Sequence, residues 1–469
     1  MGIDKTKDFS EWYNDVVEKA GLCDKRYPVK GMNIWTPYGW KIMQLIDGFI
    51  REEMARTHHE EVQFPLVIPE TEFAKEKEHI KGFDSQVYWV THAGNNPLDI
   101  RLCLRPTSET AIYPIFKLWI RSHADLPMKI YQIVSVYRYE TKQTRSFMRV
   151  REIHFFESHT CHADYEDAER QMAQNMEIMK SLSVKLCLPY IASIRPEWDK
   201  FAGAHYSIGV DAIMPTGRTL QIAGIHQYKD NFAKPFEITY EDENGNRRNV
   251  HQTTYGMSER LVGAVVAVHG DDKGIVLPPE IAPVQVIVVP IPSKGNLEIV
   301  NTECDKIAAV LSDAGIRTHV DKRDLRPGNK FYDWELKGVP LRLEIGGRDI
   351  ADCVATAARR DTSEKKTIPV SNLVDNVRHI LNSIAENLLQ KAAGKISSKI
   401  VRVDELGKGT VENTVLEMYL CGSESCGQKV EQKYDAAVLG TPVEKEAGSG
   451  RCIVCGLEDG RIVRVARTY

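Results

Sequence analysis

Apolar and polar positions alternate along two stretches that lie close together in the chain. From Tyr131 to Tyr139 the order is YQIVSVYRY, which puts Val134, Val136 and Arg138 on one face of a strand. A basic, polar segment follows from Glu140 to Met148, including Lys142 and Arg145, and then alternation resumes. In the second run Arg149, Arg151, Ile153, Phe155, Glu157 and His159 share a face, because strand side chains repeat every second residue. The spacing predicts two antiparallel strands joined by a basic loop. One surface of that ribbon would carry arginines, a carboxylate, an aromatic ring and a histidine. A solvated sheet face with surface ion pairs is the alternative. An ordinary core is not, since unpaired buried charge is heavily penalised. The combined set points to a site for an anionic substrate.

Helical periodicity marks Asp8 to Ala20 and Pro37 to Thr57, where Trp40, Met43, Ile46, Ile50 and Met54 recur on one side. Glu60 to Glu70 reads as a single strand leading into Pro65. Arg101 to Thr110 is expected to open a helix capped by Thr107 or Ser108, with Ile112, Ile115, Phe116, Trp119 and Ile120 as its buried stripe. A helix over Tyr165 to Leu182 and a strand over Arg218 to Tyr228, bearing Gln221 and His226, follow. A strand then reaches Gly256, and Ser258-Glu259-Arg260 begins an apolar helix running to about Val268. Arg260 in its first turn opposes the helix dipole, so an anionic or aromatic partner is needed to justify it. A partner such as Glu259 would be the structural explanation.

Near Pro278-Pro279 the pattern changes. Strand VQVIVVPIP, a helix over 295–314, strand IRTHVD, a helix from Asn329 to Lys337, strands PLRLEIG and CVATAARRD, and a helix over 371–390 imply a compact α/β domain with a mixed sheet.

Composition narrows the class. With 469 residues, 42% hydrophobic and 27% charged, the chain is an ordinary globular protein of several domains. Its longest apolar runs fall short of a spanning helix, so no membrane is expected. The N-terminus MGIDKTKDFSEW is too polar for a signal peptide, and its loose match to a myristoylation pattern is read as chance. A net charge of −4 gives no hint of nucleic acid, so any RNA contact must rest on local basic patches. The ten cysteines show no secreted framework, and reduced thiols in a cytoplasm are expected. Four crowd the end of the chain. Cys421 and Cys426, then Cys452 and Cys455, have the spacing of a closed structural zinc site.

Arg138-x-Glu140, a loop, and then RVREIHFFESHT from Arg149 to Thr160 resemble motif 2 of the class II aminoacyl-tRNA synthetases, in the form found in prolyl-tRNA synthetases of archaeal and eukaryotic type. The long helix followed by a strand ending at proline resembles motif 1, which implies a homodimer. HQTTYGMSERLVGAVVAVHGDDKG resembles motif 3, and RDLRPGNKFYDWELKGVPLRLEIGGRD resembles an anticodon-binding domain. The implied architecture is α+β. A class II antiparallel-sheet catalytic domain (1–282) precedes an α/β anticodon-binding domain (283–390) and a small zinc-binding α/β C-terminal domain (391–469).

What the resemblance implies is ATP-dependent joining of proline to tRNA(Pro) by way of prolyl-adenylate, with Mg²⁺ present. Arg138, Arg149 and Arg260 would serve catalysis. Thr107, Glu109, Arg138, Phe155, Glu157 and His159 would hold proline, Thr107 and Glu109 taking the ring nitrogen. A secondary ammonium has two N–H donors, which a carboxylate and a neighbouring oxygen can satisfy. Read alone, Thr107-Ser108-Glu109 is a capping turn. Arg138, Glu140, Arg149, Ile153, Gln221 and Arg260 would hold ATP, and Glu335, Arg342 and Lys365 would read anticodon guanines. Tyr469 would approach the active site.

Two departures from the family stand out: Phe155 where relatives often carry tryptophan, and Ile153 where a phenylalanine usually stacks on adenine. The segment between motifs 2 and 3 is too short for the editing domain of many bacterial relatives. The pocket must therefore discriminate, and one methylene is worth only ~1–3 kcal/mol. Some activation of cysteine or alanine is expected. The alternative function is a non-catalytic paralogue that binds RNA, which predicts losses among Glu109, Arg138 and Arg260; all three are present. A threonine-type specificity would call for a Cys/His zinc set in the main domain, and no such spacing occurs.

Overall fold

The computed structural model describes residues 2–75, 84–444 and 448–469. Helix α1 (Phe9–Lys19) starts at Asp8, whose carboxylate accepts from the Glu11 N–H at 3.0 Å. Helix α2 (Pro37–Arg56) has proline in its first turn, and Thr36 Oγ1 accepts from Gly39 N–H. Its stripe Ile42, Met43, Ile46, Ile50 and Met54 enters the main core.

The strand expected across Glu60 to Glu70 is instead two. β1 (Glu60–Glu61) runs parallel to the main sheet, whereas β2 (Val67–Pro69) pairs with β4 (Asn96–Leu104). Pro65 has no N–H to give a ladder, and the chain changes sheets there. β2, β4 and β3 (Tyr88–Ala93) make a three-stranded sheet in the order β2-β4-β3. Arg101 to Leu104 therefore lie in a strand, and helix α3 (Glu109–Trp119) begins after Ser108, one of the two expected cap positions. Neither Thr107 nor Ser108 caps it through its side chain, because both hydroxyls are given to carboxylates. Ile112, Phe116 and Ile120 are buried as expected and Ile115 is half-buried, but Trp119 is exposed and leans on Phe64 at 5.7 Å.

β5 (Met128–Tyr137) and β6 (Glu152–His162) form the expected antiparallel ribbon, with Gln132 opposite Glu157 and Val134 opposite Phe155. Arg149 precedes the strand. Arg151 leaves the expected face: its guanidinium lies 4.2 Å from the Tyr139 ring and its Nε donates to Glu140 O.

Helix α4 (Tyr165–Lys185) packs behind β6, β9 (Thr219–Lys229) and β10 (His251–Ser258); β7 (Ile191–Ile194) and β8 (Tyr206–Ile213) continue the sheet, and helix α5 (Arg260–His269) follows. A second sheet uses β11 (Val286–Ile291), β12 (Thr318–Val320), β13 (Leu341–Gly346), β14 (Val354–Arg359) and β15 (Lys365–Pro369), in the order β12-β11-β13-β14-β15. Its first three strands are parallel and the rest antiparallel, the mixed sheet the pattern implied. Helices α6 (Leu297–Asp313), α7 (Pro327–Leu336) and α8 (Leu373–Lys399) accompany it. α8 runs nine residues beyond 390, through a lysine- and alanine-rich segment that favours helix.

The C-terminal strands are β16 (Ile400–Arg402), β17 (Val415–Leu420), β18 (Ala437–Pro442) and β19 (Gly460–Ala466), with helix α9 (Glu424–Tyr434). They do not stand apart. β18 pairs with β7 through Thr441–Ile194 and Pro442–Ser193, extending the main sheet to the order β16-β17-β19-β18-β7-β8-β9-β10-β6-β5-β1. The junction covers an edge of each sheet that would otherwise expose unpaired backbone. Among the described residues no helix is long and apolar enough to cross a membrane.

Candidate active site

A cavity of about 360 Å³ opens beside the β5–β6 ribbon. Thr107, Glu109, Arg138, Glu140, Arg149, Ile153, Phe155, Glu157, His159, Gln221 and Arg260 all line it. Arg138 leaves the end of β5, donates from Nε to Pro106 O at 3.0 Å and lies 5.9 Å from the Phe155 ring. Burial lowers its pKa, while Glu109 and Glu157 oppose that shift. Arg149 is 3.6 Å from the Glu140 carboxylate. Arg260 donates from Nε to Met148 O at 2.9 Å and from Nη1 to Gln221 O at 3.1 Å, tying the end of the basic loop to β9. Burial and the like charges of Arg138 and Arg149 pull Arg260 down to about 10. Three guanidiniums thus feel one another in a recess that an anion would relieve.

The opposite wall is acidic. Glu109 is buried; Thr107 Oγ1 donates to its Oε2 at 2.6 Å and Tyr228 OH to its Oε1 at 3.0 Å. Glu157, also buried, accepts from Gln132 Nε2 at 2.8 Å, from Ser108 N–H at 3.2 Å and from Ser108 Oγ. His159 Nε2 lies 3.3 Å from Glu157 Oε2, and Tyr113 OH lies 3.3 Å from its Nδ1. Burial alone would raise the Glu157 pKa, but His159, Ser108 and Gln132 together hold it below the usual carboxylate range. The floor is bare backbone: a Cβ at Gly256 would come within 2.8 Å of the Phe155 ring, and one at Gly209 within 2.1 Å of the Arg195 guanidinium. Arg195 is itself paired with Asp211 at 2.8 Å.

Gln132, Tyr113 and Tyr228 escaped the reading of the chain, and Ser108 reads there only as a cap; Ser108 and Gln132 fix Glu157, Tyr228 fixes Glu109, and Tyr113 meets His159. Only Gln132 left a usable signal. Once the ribbon is paired, it falls directly opposite Glu157. His226, noted only as part of a strand, also lines the cavity, with Nδ1 2.8 Å from Ser207 Oγ. Burial depresses its pKa to about 4, so it stays neutral near pH 7.

Two further clusters lie outside this cavity. On the second sheet Arg342 Nη1 meets Glu335 at 3.1 Å and Arg342 Nε meets Glu344 at 3.1 Å, while Lys365 reaches Glu344 at 2.7 Å. The Arg342 guanidinium lies 3.9 Å from the Phe331 ring. Glu335, Arg342 and Lys365 are therefore neighbours in one network. In the C-terminal lobe the thiols of Cys421, Cys426, Cys452 and Cys455 all lie within 4.8 Å of one another. Gly422 and Gly456 adopt φ of 77° and 78°, the left-handed turns that fold each cysteine pair around a common point. Burial alone would raise the Cys452 thiol, but backbone N–H groups of its neighbours bring it down to about 6. Four convergent thiols, one of them in a thiolate-favouring setting, fit a tetrahedral metal. Tyr469 lies beside the basic loop, its ring 5.7 Å from the Arg145 guanidinium.

The chain matches the class II core domain of tRNA synthetases (G, H, P, S and T) over residues 88–269 and an anticodon binding domain over 285–380. Residues 403–469 match a domain described as prolyl-tRNA synthetase, C-terminal. It is 58% identical to the proline–tRNA ligase of Thermococcus kodakarensis, covering 100% of both chains, and 57% identical to that of Pyrococcus horikoshii, covering 99% of this chain and 98% of the relative. In three dimensions it resembles the Giardia lamblia prolyl-tRNA synthetase in complex with prolyl-adenylate, with a TM-score of 0.94 at 34% identity over 99% of each chain. With the core, anticodon and C-terminal domains in one chain and full-length identity of this order, this protein belongs to the prolyl-tRNA synthetase family of class II.

Proposed function

We propose that the chain is a proline–tRNA ligase, with residues 1–282 performing the chemistry, 283–390 reading the anticodon and 391–469 buttressing the main sheet. The proline carboxylate attacks the α-phosphate of ATP in line, giving prolyl-adenylate and pyrophosphate; a terminal ribose hydroxyl of tRNA(Pro) then displaces AMP. Neither step needs a protein nucleophile. Both need two anions held together against their repulsion.

Arg138, between the acidic wall and Arg260, bridges the carboxylate and the α-phosphate. Arg149 and Arg260 hold the outer phosphates and the adenine side, Gln221 and Glu140 position the nucleotide, and Ile153 packs against it. Thr107 and Glu109 take the ring ammonium. Phe155 and His159 enclose the pyrrolidine, with Glu157 fixing His159. Mg²⁺ lessens the remaining phosphate charge when bound. Phe155 in place of a larger ring leaves room in which cysteine or alanine can be activated. Cys421, Cys426, Cys452 and Cys455 would hold zinc, which would brace the C-terminal lobe; four thiolate ligands would leave no position for chemistry. Glu335, Arg342 and Lys365 read guanine edges by carboxylate-to-N–H and cation-to-O6/N7 pairs. The enzyme works in the cytoplasm as a homodimer, a second copy covering the exposed Leu66, Val67 and Trp119.

One observation carries this reading: Arg138, Arg149 and Arg260 meet in a single cavity with the Thr107–Glu109 pair. Proline-dependent ATP–pyrophosphate exchange tests it. Arg138→Ala should lower kcat/KM by roughly 10²–10³, and unchanged turnover would overthrow the assignment. Cysteine and alanine run alongside should show lower specificity constants than proline.

A further inference from the structure

Beside the reaction cavity lies a second recess of about 490 Å³, and Met148 and Arg149 line both. Four separate pieces of chain wall it: Ser10 of α1, the basic loop from Lys142 to Arg145, the turn at Thr216 and Arg218 between β8 and β9, and Thr468–Tyr469. Four cations face it, Lys142, Arg145, Arg149 and Arg218, and among the described residues no Asp or Glu side chain lines it. Arg149 has Glu140 at 3.6 Å, but among the described residues Lys142, Arg145 and Arg218 have no ion-pair partner.

The arginines are nevertheless held in place. Arg145 Nη2 donates to Ser10 Oγ at 2.8 Å, and Arg218 Nη1 donates to Thr468 O at 3.4 Å. Both guanidiniums sit 5.7 Å from the Tyr469 ring, whose hydroxyl is 3.0 Å from Thr216 Oγ1. Lys142, Arg145 and Arg218, none of them paired with an Asp or Glu side chain among the described residues, repel one another, and a surface that gathers such cations raises the local concentration of anions. Hydroxyls at Ser10, Thr144 and Thr216 add donors suited to phosphate oxygens.

We infer that this recess takes pyrophosphate as it leaves the reaction cavity. The inference rests on the adenylate-forming reading above, which makes pyrophosphate and places the outer phosphates on Arg149. Because Arg149 borders both spaces, the product can pass from one set of cations to the next without shedding its counter-charges. Lys142, Arg145 and Arg218 take over as Arg149 lets go. An RNA backbone is the competing polyanion, but it needs a continuous groove along which successive phosphates are contacted. A recess lined by four unconnected segments suits a compact anion better.

The test uses the full-length chain carrying Lys142→Gln and Arg218→Gln, singly and together. Both side chains are exposed, so folding should survive. In proline-dependent exchange the double variant should raise the KM for pyrophosphate about tenfold while the KM values for ATP and proline stay within about twofold. Calorimetric titration with pyrophosphate should show the same loss, and Arg218→Lys should recover much of it. An unmoved KM and Kd for pyrophosphate overturn the assignment. So does a raised KM for tRNA with unaltered pyrophosphate handling, which would give the recess to RNA phosphates. A wild-type protein silent in exchange would instead sink the adenylate reading itself, so the two failures are told apart.

Discussion

Arg360 grips Asp271 with both prongs of its guanidinium, Nη1 to Oδ2 at 2.7 Å and Nη2 to Oδ1 at 2.6 Å, while its Nε donates to Glu335 O at 2.9 Å. Asp271 lies just past the end of α5, whose first residue is Arg260. Glu335 sits near the end of α7 and pairs with Arg342. One side chain therefore fastens the helix that begins with the cavity-lining Arg260 to the helix that carries an anticodon candidate. Arg360→Ala should cost about 1–3 kcal/mol at this junction. Transfer of proline to tRNA should fall more than pyrophosphate exchange, which needs no anticodon. Equal losses in the two assays would show a merely structural contact. Lysine should rescue little, since it cannot make the bidentate pair.

Tyr228 holds Glu109 from the side away from Thr107. Removing its hydroxyl with Tyr228→Phe leaves a buried carboxylate one donor short, a change of about 1–2 kcal/mol. The expected result is a KM for proline raised roughly five- to thirty-fold with the KM for ATP little changed. A shift confined to ATP would mean that Glu109 does not face the amino acid.

Glu259 is buried beside Arg260, and its Oε2 has no hydrogen-bond partner among the described residues. Burial pushes its carboxyl up to about 7, with His154 and Arg260 pulling the other way. Between the ordinary value of 4.5 and about 7, the folded protein keeps a proton that the unfolded chain has released. Stability from this group is present at low pH and is lost as pH rises through that window. Glu259→Gln removes the titration, so the variant should gain on the wild type with rising pH, by on the order of 3 kcal/mol once both forms have ionised. Thermal unfolding at pH 5 and pH 8 measures it. A Tm difference that is the same at both values would refute the shift.

Chelation bears on the C-terminal lobe. If four thiolates hold a metal, stripping it should lower Tm by several degrees, and adding zinc back should restore it. Cys426→Ser should abolish the response. Because β18 joins β7, loosening the lobe should also reduce exchange activity. Identical melting curves with and without chelator would leave the cluster as plain thiols.

Legibility differed from element to element. The ribbon, the motif 3 helix and the mixed α/β sheet were readable because each repeats its apolar residues at a single period over enough positions to leave no rival. Misreadings fell where local rules were overridden. Pro65 split an apparent strand between two sheets. Thr107 and Ser108 looked like caps, yet their hydroxyls serve Glu109 and Glu157. Arg151 kept the alternation in sequence but lies outside strand β6 and turned to Tyr139. Trp119 matched the helical stripe but sits exposed at its end.

The order of residues by itself determined which chemical groups exist and which short segments present them together: the arginines and carboxylate of the ribbon, the Thr-x-Glu turn, the cysteine pairs. Those relations span a few bonds, so local periodicity and composition carry them. Tertiary structure alone decided that Tyr228 holds Glu109, that Arg360 clasps Asp271, and that the C-terminal strands extend the main sheet. These contacts join positions tens to hundreds of residues apart. They depend on how sheets twist, pair and exclude water, which no stretch of chain encodes alone.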